Sequence, residues 1–328
     1  MHTGKELILS TRRFARENRY KSWLYTLSTI GILIGLFLGM LFISYLLIQL
    51  VCSIAFGLVM IRGFVIYHDY QHHSILYKSI PAKIIFTLYG LFMLAPSSIW
   101  KRSHDYHHNH NSKLFSASIG SYPIMTLKNF REATKSERRE YLLSRHPITI
   151  LFGYISMFIV GMCWNSFTSN PKKHWDSLLA LVLHFAAIVL IYLFFGAITV
   201  VLAIFIPFFL SLMVGAYLFY VQHNFPEVEF RDKVEWTYPH AALESSSHLK
   251  LNPVLDWITA NIGYHHVHHL NSRIPFYRLK EAMLKIPALQ NAKVSTAKIK
   301  DINACLRLKI WDPEANKMLT MKEVLAKL

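Results

Sequence analysis

Eighteen histidines stand in the chain, and most fall in clusters whose spacing suits metal binding. The first cluster is His68-Asp69-Tyr70-Gln71-His72-His73. On a helix His68 and His72 lie one turn apart on one face, so both rings can reach a single ion. The second is His104-Asp105-Tyr106-His107-His108, with His110 just beyond. His104, His107 and His108 stand at i, i+3 and i+4 and share a helical face. The third, His265-His266-Val267-His268-His269, repeats that spacing at His265, His268 and His269. A lone histidine, His223, sits in Gln222-His223-Asn224 at the end of an apolar run.

Eight or nine converging imidazoles imply more than one metal ion. Ring nitrogen suits iron, copper, zinc or nickel, so ligand type alone does not choose among them. Zinc sites rarely use so many histidines. The carboxylate-bridged di-iron pattern Glu-x-x-His is missing, and Glu244 to His248 has the wrong spacing for it. A histidine-rich dinuclear iron site fits best. One HxxxH occurs by chance; two HxxHH boxes and an HxxxHH box, each beside an apolar segment, are specific. A pH-sensing histidine cluster is the plain alternative. Other histidines read differently. His184 lies inside an apolar run and is expected to hydrogen-bond a neighbouring helix. His2, His146 and His174 are expected at the surface. His240 and His248 lie in the loop before the third box, where roles in support or substrate contact stay open.

The elements that must position these boxes belong to a membrane protein. Of 328 residues 53% are hydrophobic and only 16% charged, against about a quarter charged in a soluble domain. Ser22 to Ile61 and Ser177 to Pro226 are runs of 40 and 50 residues without Asp, Glu, Lys or Arg. A span needs about 20 apolar residues, so each run suits a helical hairpin. Ile84 to Trp100, interrupted by Pro96, and His146 to Pro171 could span, lie in the interface, or enter and return. The net charge of +16 gathers beside the apolar runs, with six Lys or Arg in residues 1–21 and nine in 101–145. That fits the positive-inside rule and anionic lipid headgroups. No nucleic-acid partner is expected, since no binding motif accompanies the charge. No cleavable signal peptide is apparent. Cys52, Cys163 and Cys305 form no CxxC pair. Gly31, Gly35 and Gly39 either give one helix a smooth packing face or are ordinary membrane glycines.

A shared site requires every box on one side of the membrane. The expected fold is therefore all-α: four spans in two hairpins, two interfacial segments and a cytoplasmic helical cap. The divisions are a basic N-terminus at 1–23, the first hairpin at 24–67 and an interfacial region with boxes one and two at 68–176. The second hairpin covers 177–221, and 222–328 carries His223 and box three. The expected location is a bacterial inner membrane with the boxes cytoplasmic.

HDYQHHS, WKRSHDYHHNHN, FYVQHNFP and AALESSSHLKLNPVLDWITANIGYHHVHHLNSRIPFYRL together resemble the membrane fatty-acid desaturase superfamily. The similarity runs from roughly residue 60 to 280 and is nearest to acyl-lipid enzymes of the Δ12/ω-6 and bacterial Δ5 types. The resemblance implies metal ligands at His68, His72, His104, His107, His108, His223, His265, His268 and His269. His73 is a further candidate ligand, and Asn261, Asp69 and Asp105 are candidates for supporting the ligands. His266 occupies a variable position. Animal acyl-CoA desaturases carry an Asn one turn before the lone histidine, holding a water at the metal; here that position is Phe219.

The implied activity is desaturation of membrane-lipid acyl chains, with two iron ions and O2. No haem, iron–sulfur or flavin fingerprint is present in the sequence, so electrons are expected from a separate ferredoxin or cytochrome b5-like protein. The basic residues of 101–145 are a candidate docking surface for an acidic donor. Alternatives are a lipid, carotenoid or alkane hydroxylase or ketolase, and a non-enzymatic membrane metal-binding protein.

Overall fold

A backbone surrounded by lipid must satisfy its own hydrogen bonds, and a helix does so within one segment. The computed structural model describes residues 4–114 and 122–327, so His2 lies outside them. It turns the first uncharged run into two helices, Arg19–Phe42 and Leu46–Gln71. They run antiparallel: Gln49 donates to the Met40 carbonyl at 3.0 Å, and the Phe37 and Phe56 rings lie 6.0 Å apart. Arg62, buried in this pair, donates to Thr29 Oγ1 and to the Trp257 carbonyl. Of the three regularly spaced glycines, Gly31 and Gly35 face open space and Gly39 abuts Cys52. The smooth-face reading therefore fails for the first two.

The second uncharged run forms a helical stretch of 47 residues, Trp175–Val221. It breaks at Gly196, where φ is 81° and ψ is 175°, a region open essentially to glycine alone. His184 and Phe208 are equidistant from Gly196 along the chain, and their rings lie 4.8 Å apart. The chain therefore doubles back at Gly196. Among the described residues, three helices are long and apolar enough to cross a membrane. The count becomes four if Ile80–Phe92 and Ser97–His110, bent by 91° at their junction, are taken as one span.

The ambiguous segment 146–171 contains Pro147–Leu151, the π-helical Tyr154–Trp164 and Asn165–Ser169. Gly153 packs directly on Ala216 and Leu212 of the returning helix, which leaves no room for a side chain at that position. Tyr154 and His184 share a hydrogen bond of 2.5 Å, the helix-to-helix partner expected for His184.

Two expectations are corrected. The chain is mostly helical but not all-α. His248–Lys250 pairs in parallel with Val294–Thr296, and Leu308–Asp312 pairs antiparallel with Lys317–Thr320. These short ladders fasten the region after His223, where no lipid-facing helix is required. His174 is buried rather than at the surface, because its Nδ1 lies 2.8 Å from Ser98 Oγ. Asp176 accepts from both the Ser98 hydroxyl and its N–H. The start of the second hairpin thus grips the start of the helix that carries box two. His146 is exposed, as expected, and caps Pro147–Leu151.

Replacing Gly196 with Val should destabilise the purified protein by about 1–3 kcal/mol, the cost of a backbone strained in this region. A fall in Tm relative to a Gly31→Ala control would show it; equal Tm values would remove Gly196 from the role of hairpin turn.

Candidate metal centre

Each box lies at a helix end or in a short helix of its own. His68 stands in the last turn of the helix Leu46–Gln71, with His72 its C-cap; box two fills the end of Ser97–His110; box three is the short helix His265–Leu270. His223 follows directly on Ile206–Val221. The i, i+3 and i+4 spacings consequently turn the rings inward from four directions.

Two groups result. His68, His72, His104, His108 and His268 offer nitrogens that all lie within 4.8 Å of one another, as do those of His107, His223, His265 and His269. Boxes two and three contribute to both groups. In the second group the Nε2 separations are 3.0 Å for His107–His223, 2.9 Å for His223–His265 and 3.0 Å for His265–His269. In the first they are 3.1 Å for His104–His108 and for His108–His268. Nitrogens about 2.1 Å from a shared ion and at right angles stand about 3.0 Å apart.

Hydrogen bonding tests whether an ion fits. A neutral imidazole has one N–H and one lone pair. His223 donates its Nδ1–H to the Ser245 carbonyl at 2.9 Å, which leaves the Nε2 lone pair facing His107 and His265. The buried Nε2 of His72 has no hydrogen-bond partner. Convergent lone pairs and an unpaired inner nitrogen are what a cation would satisfy, so the residues fit a metal at each group. Burial also keeps the rings neutral. It holds His265, His268 and His269 well below the usual histidine value, helped by neighbouring histidines, and lowers His223 to about 4.

Supporting contacts fix several rings. Trp100 stacks on His104 with centroids 4.9 Å apart. Asp69 Oδ1 lies 3.3 Å from His68 Nδ1, and its Oδ2 accepts the Phe276 N–H at 2.6 Å. Asn261 donates to the Phe276 carbonyl at 3.3 Å, so two of the three candidates for support hold the chain beyond box three.

Other candidates lie apart. Asp105 pairs with Lys101 at the surface, and His73 packs on Tyr77. His266 turns to the Leu289 carbonyl, His248 stacks on Tyr264, and His240 faces Glu229. The Ser245 carbonyl and the Phe276 backbone escaped the sequence reading, because a main-chain partner leaves no residue-type signal.

An apolar cavity reaches this cage from between the long helices. Ile61, Phe64, Phe158, Leu212 and Phe219 line it, and it touches His68 and His104 of one group and His265 of the other.

Residues 44–295 match the family model described as fatty acid desaturase. The chain is 32% identical over 327 residues to a fatty acid desaturase of Bacillus subtilis, covering 98% of this chain and 92% of the relative. It is 23% identical over 270 residues to the sn-1 oleoyl-lipid 12-desaturase of Synechocystis, covering 80% and 74%. The chloroplastic omega-6 fatty acid desaturase of Spinacia oleracea is 24% identical, with 67% and 49% covered. The chain belongs to the membrane fatty acid desaturase family. Its histidine groups fit a di-metal oxidoreductase of that kind.

Two measurements check the centre. Metal analysis should find about two equivalents per chain, falling to about one in a His223→Ala, His265→Ala double variant; two equivalents retained would dissociate the second group from metal binding. The metal-free protein should lose stability on acidification. Rings with lowered pKa values bind fewer protons folded than unfolded, so stability falls below the unfolded value of 6.5 and continues to fall toward about 4. A Tm independent of pH across that window would contradict the neutral cage.

Proposed function

We propose that the chain is an O2-dependent acyl-lipid desaturase that sets a cis double bond into a membrane-lipid acyl chain at a di-iron centre. His68, His72, His104, His108 and His268 would hold one ion; His107, His223, His265 and His269 would hold the other. The observation that carries this reading is the apolar cavity that meets both histidine groups at His68, His104 and His265. Iron bound there would supply, with O2 and two electrons, the oxidising power to remove two hydrogens from an unactivated chain, which no side chain possesses.

The chain's own residues do the positioning. Phe64, Phe158, Leu212 and Phe219 present an apolar wall that accepts methylenes and excludes water. Gln222, also on the cavity wall, donates to the Ile262 carbonyl at 2.9 Å, so its amide is tied back. The Ser245 carbonyl holds the His223 tautomer that keeps Nε2 inward.

Four spans in two hairpins, with 84–100 and 146–171 not crossing, keep every box on the cytoplasmic side of a bacterial inner membrane. The basic residues of 101–145 support that side, and an acidic ferredoxin or a cytochrome b5-like protein would dock there to deliver electrons. Likeness to enzymes named sn-1 oleoyl-lipid 12-desaturase favours an acyl chain esterified to a lipid.

Expression in a host without polyunsaturated lipids, under 18O2, tests the reaction. Fatty-acid profiling should reveal a new cis double bond without label, and His268→Ala should abolish it; label in the product would replace desaturation by hydroxylation. Gly215 lines the cavity beside Phe158. Gly215→Leu should cut conversion of the longest accepted chains about tenfold at unchanged metal content, about the 1–3 kcal/mol attached to a methylene-sized mismatch. Equal conversion of all chain lengths would remove the cavity as the acyl site.

A further inference from the structure

Phe219 also lines a second cavity, which touches the cage at His107 and His223. This one is polar. It touches His107 and His223 and is walled by Ser112, Lys113, Tyr122, Arg145 and Asn224. Among the described residues no Asp or Glu lines it.

Arg145 is fully buried. Its Nη1–H donates to the Pro123 carbonyl at 3.0 Å, and its Nη2–H groups to Asn224 Oδ1 and the Tyr220 hydroxyl. The Nε–H has no partner. The Tyr141 and Tyr220 rings lie 5.8 and 5.0 Å from the guanidinium, but among the described residues no carboxylate pairs with it. Lys309, also buried, donates to the Arg145 main-chain carbonyl, and its ammonium lies 5.9 Å from the Tyr220 ring that also faces the guanidinium. Ser112 Oγ is a further buried polar atom without a partner. The Lys113 ammonium, 5.2 Å from the Trp236 ring, adds positive charge at the rim.

Burying a guanidinium without a counter-charge is costly. Aromatic faces and neutral acceptors offset part of that cost, and an anion would offset the rest. An ionised oxygen shortens and strengthens each N–H contact, and guanidinium matches the oxygens of a phosphate.

We propose that this cavity binds a phosphate-type oxyanion, held by Arg145 with Ser112 and Lys113 as additional donors. The anion would sit one side chain, Phe219, away from an acyl chain in the apolar cavity. Two sources share this chemistry: the phosphodiester of a phospholipid headgroup and free inorganic phosphate. The headgroup source rests on the acyl-lipid reading above.

Calorimetric titration of the full-length, metal-loaded protein in neutral detergent tests the site. The probes are glycerophosphoglycerol as phosphodiester, inorganic phosphate, and glycerol as the uncharged control. At least one anion should bind and glycerol should not. Ser112→Ala and Lys113→Gln should each weaken binding about tenfold at unchanged Tm, the loss of roughly one hydrogen bond to a charged group. Arg145→Gln should abolish it, and the two milder variants keep the test sound if that protein fails to fold. Binding of the diester assigns a headgroup; binding of inorganic phosphate alone assigns a free anion. Binding of neither, or binding untouched by both milder variants, overturns the proposal and leaves Arg145 a structural cation. No turnover enters the measurement, so its failure is separate from failure of the fatty-acid profile.

Discussion

Nine imidazoles must be brought together while uncharged, and the rest of the structure depends on that requirement. Protonated rings within a few ångströms would repel one another and expose no lone pair. Burial solves both problems, because a dry surrounding penalises the charged form. A buried ring in turn needs a backbone partner for its outer nitrogen or a cation for its inner one. The Ser245 carbonyl supplies the first for His223, and the geometry of each group is ready for the second.

The surrounding architecture serves that packing. The two antiparallel helix pairs do not themselves carry most of the ligands; they end where the ligands begin. Contacts between distant segments then fix the ends in register. Asp176 and His174 hold Ser98 at the start of the box-two helix. Asp69, one residue beyond His68, holds the backbone of Phe276 beyond box three. Phe219 separates an apolar cavity on one side of the cage from a polar one on the other.

Much of this was legible in the residues. Helical spacing within HDYQHH, HDYHH and HHVHH foretold shared faces; the structure gathers nine of the ten candidate ligands into two groups and leaves His73 outside them. The uncharged runs foretold helices, and a run too long for one span foretold a reversal, which falls at Gly196. What could not be read is also specific. The division of boxes two and three between the groups depends on how helices cross, which no local pattern encodes. His174 looked superficial because two lysines precede it, yet a contact with Ser98, far away in sequence, buries it. The short strand pairs lie in segments too brief for periodicity to show.

The interleaving of boxes across the two groups bears on how the protein is made. The first group takes His68 and His72 from the beginning of the cage but needs His268; the second takes His107 from the middle and needs His223, His265 and His269. Neither group is complete until box three has left the ribosome, and by then both helix pairs precede it in the chain. A chain truncated before His265 would keep four histidines of the first group but only His107 and His223 of the second, so the second group depends most on the end of the cage.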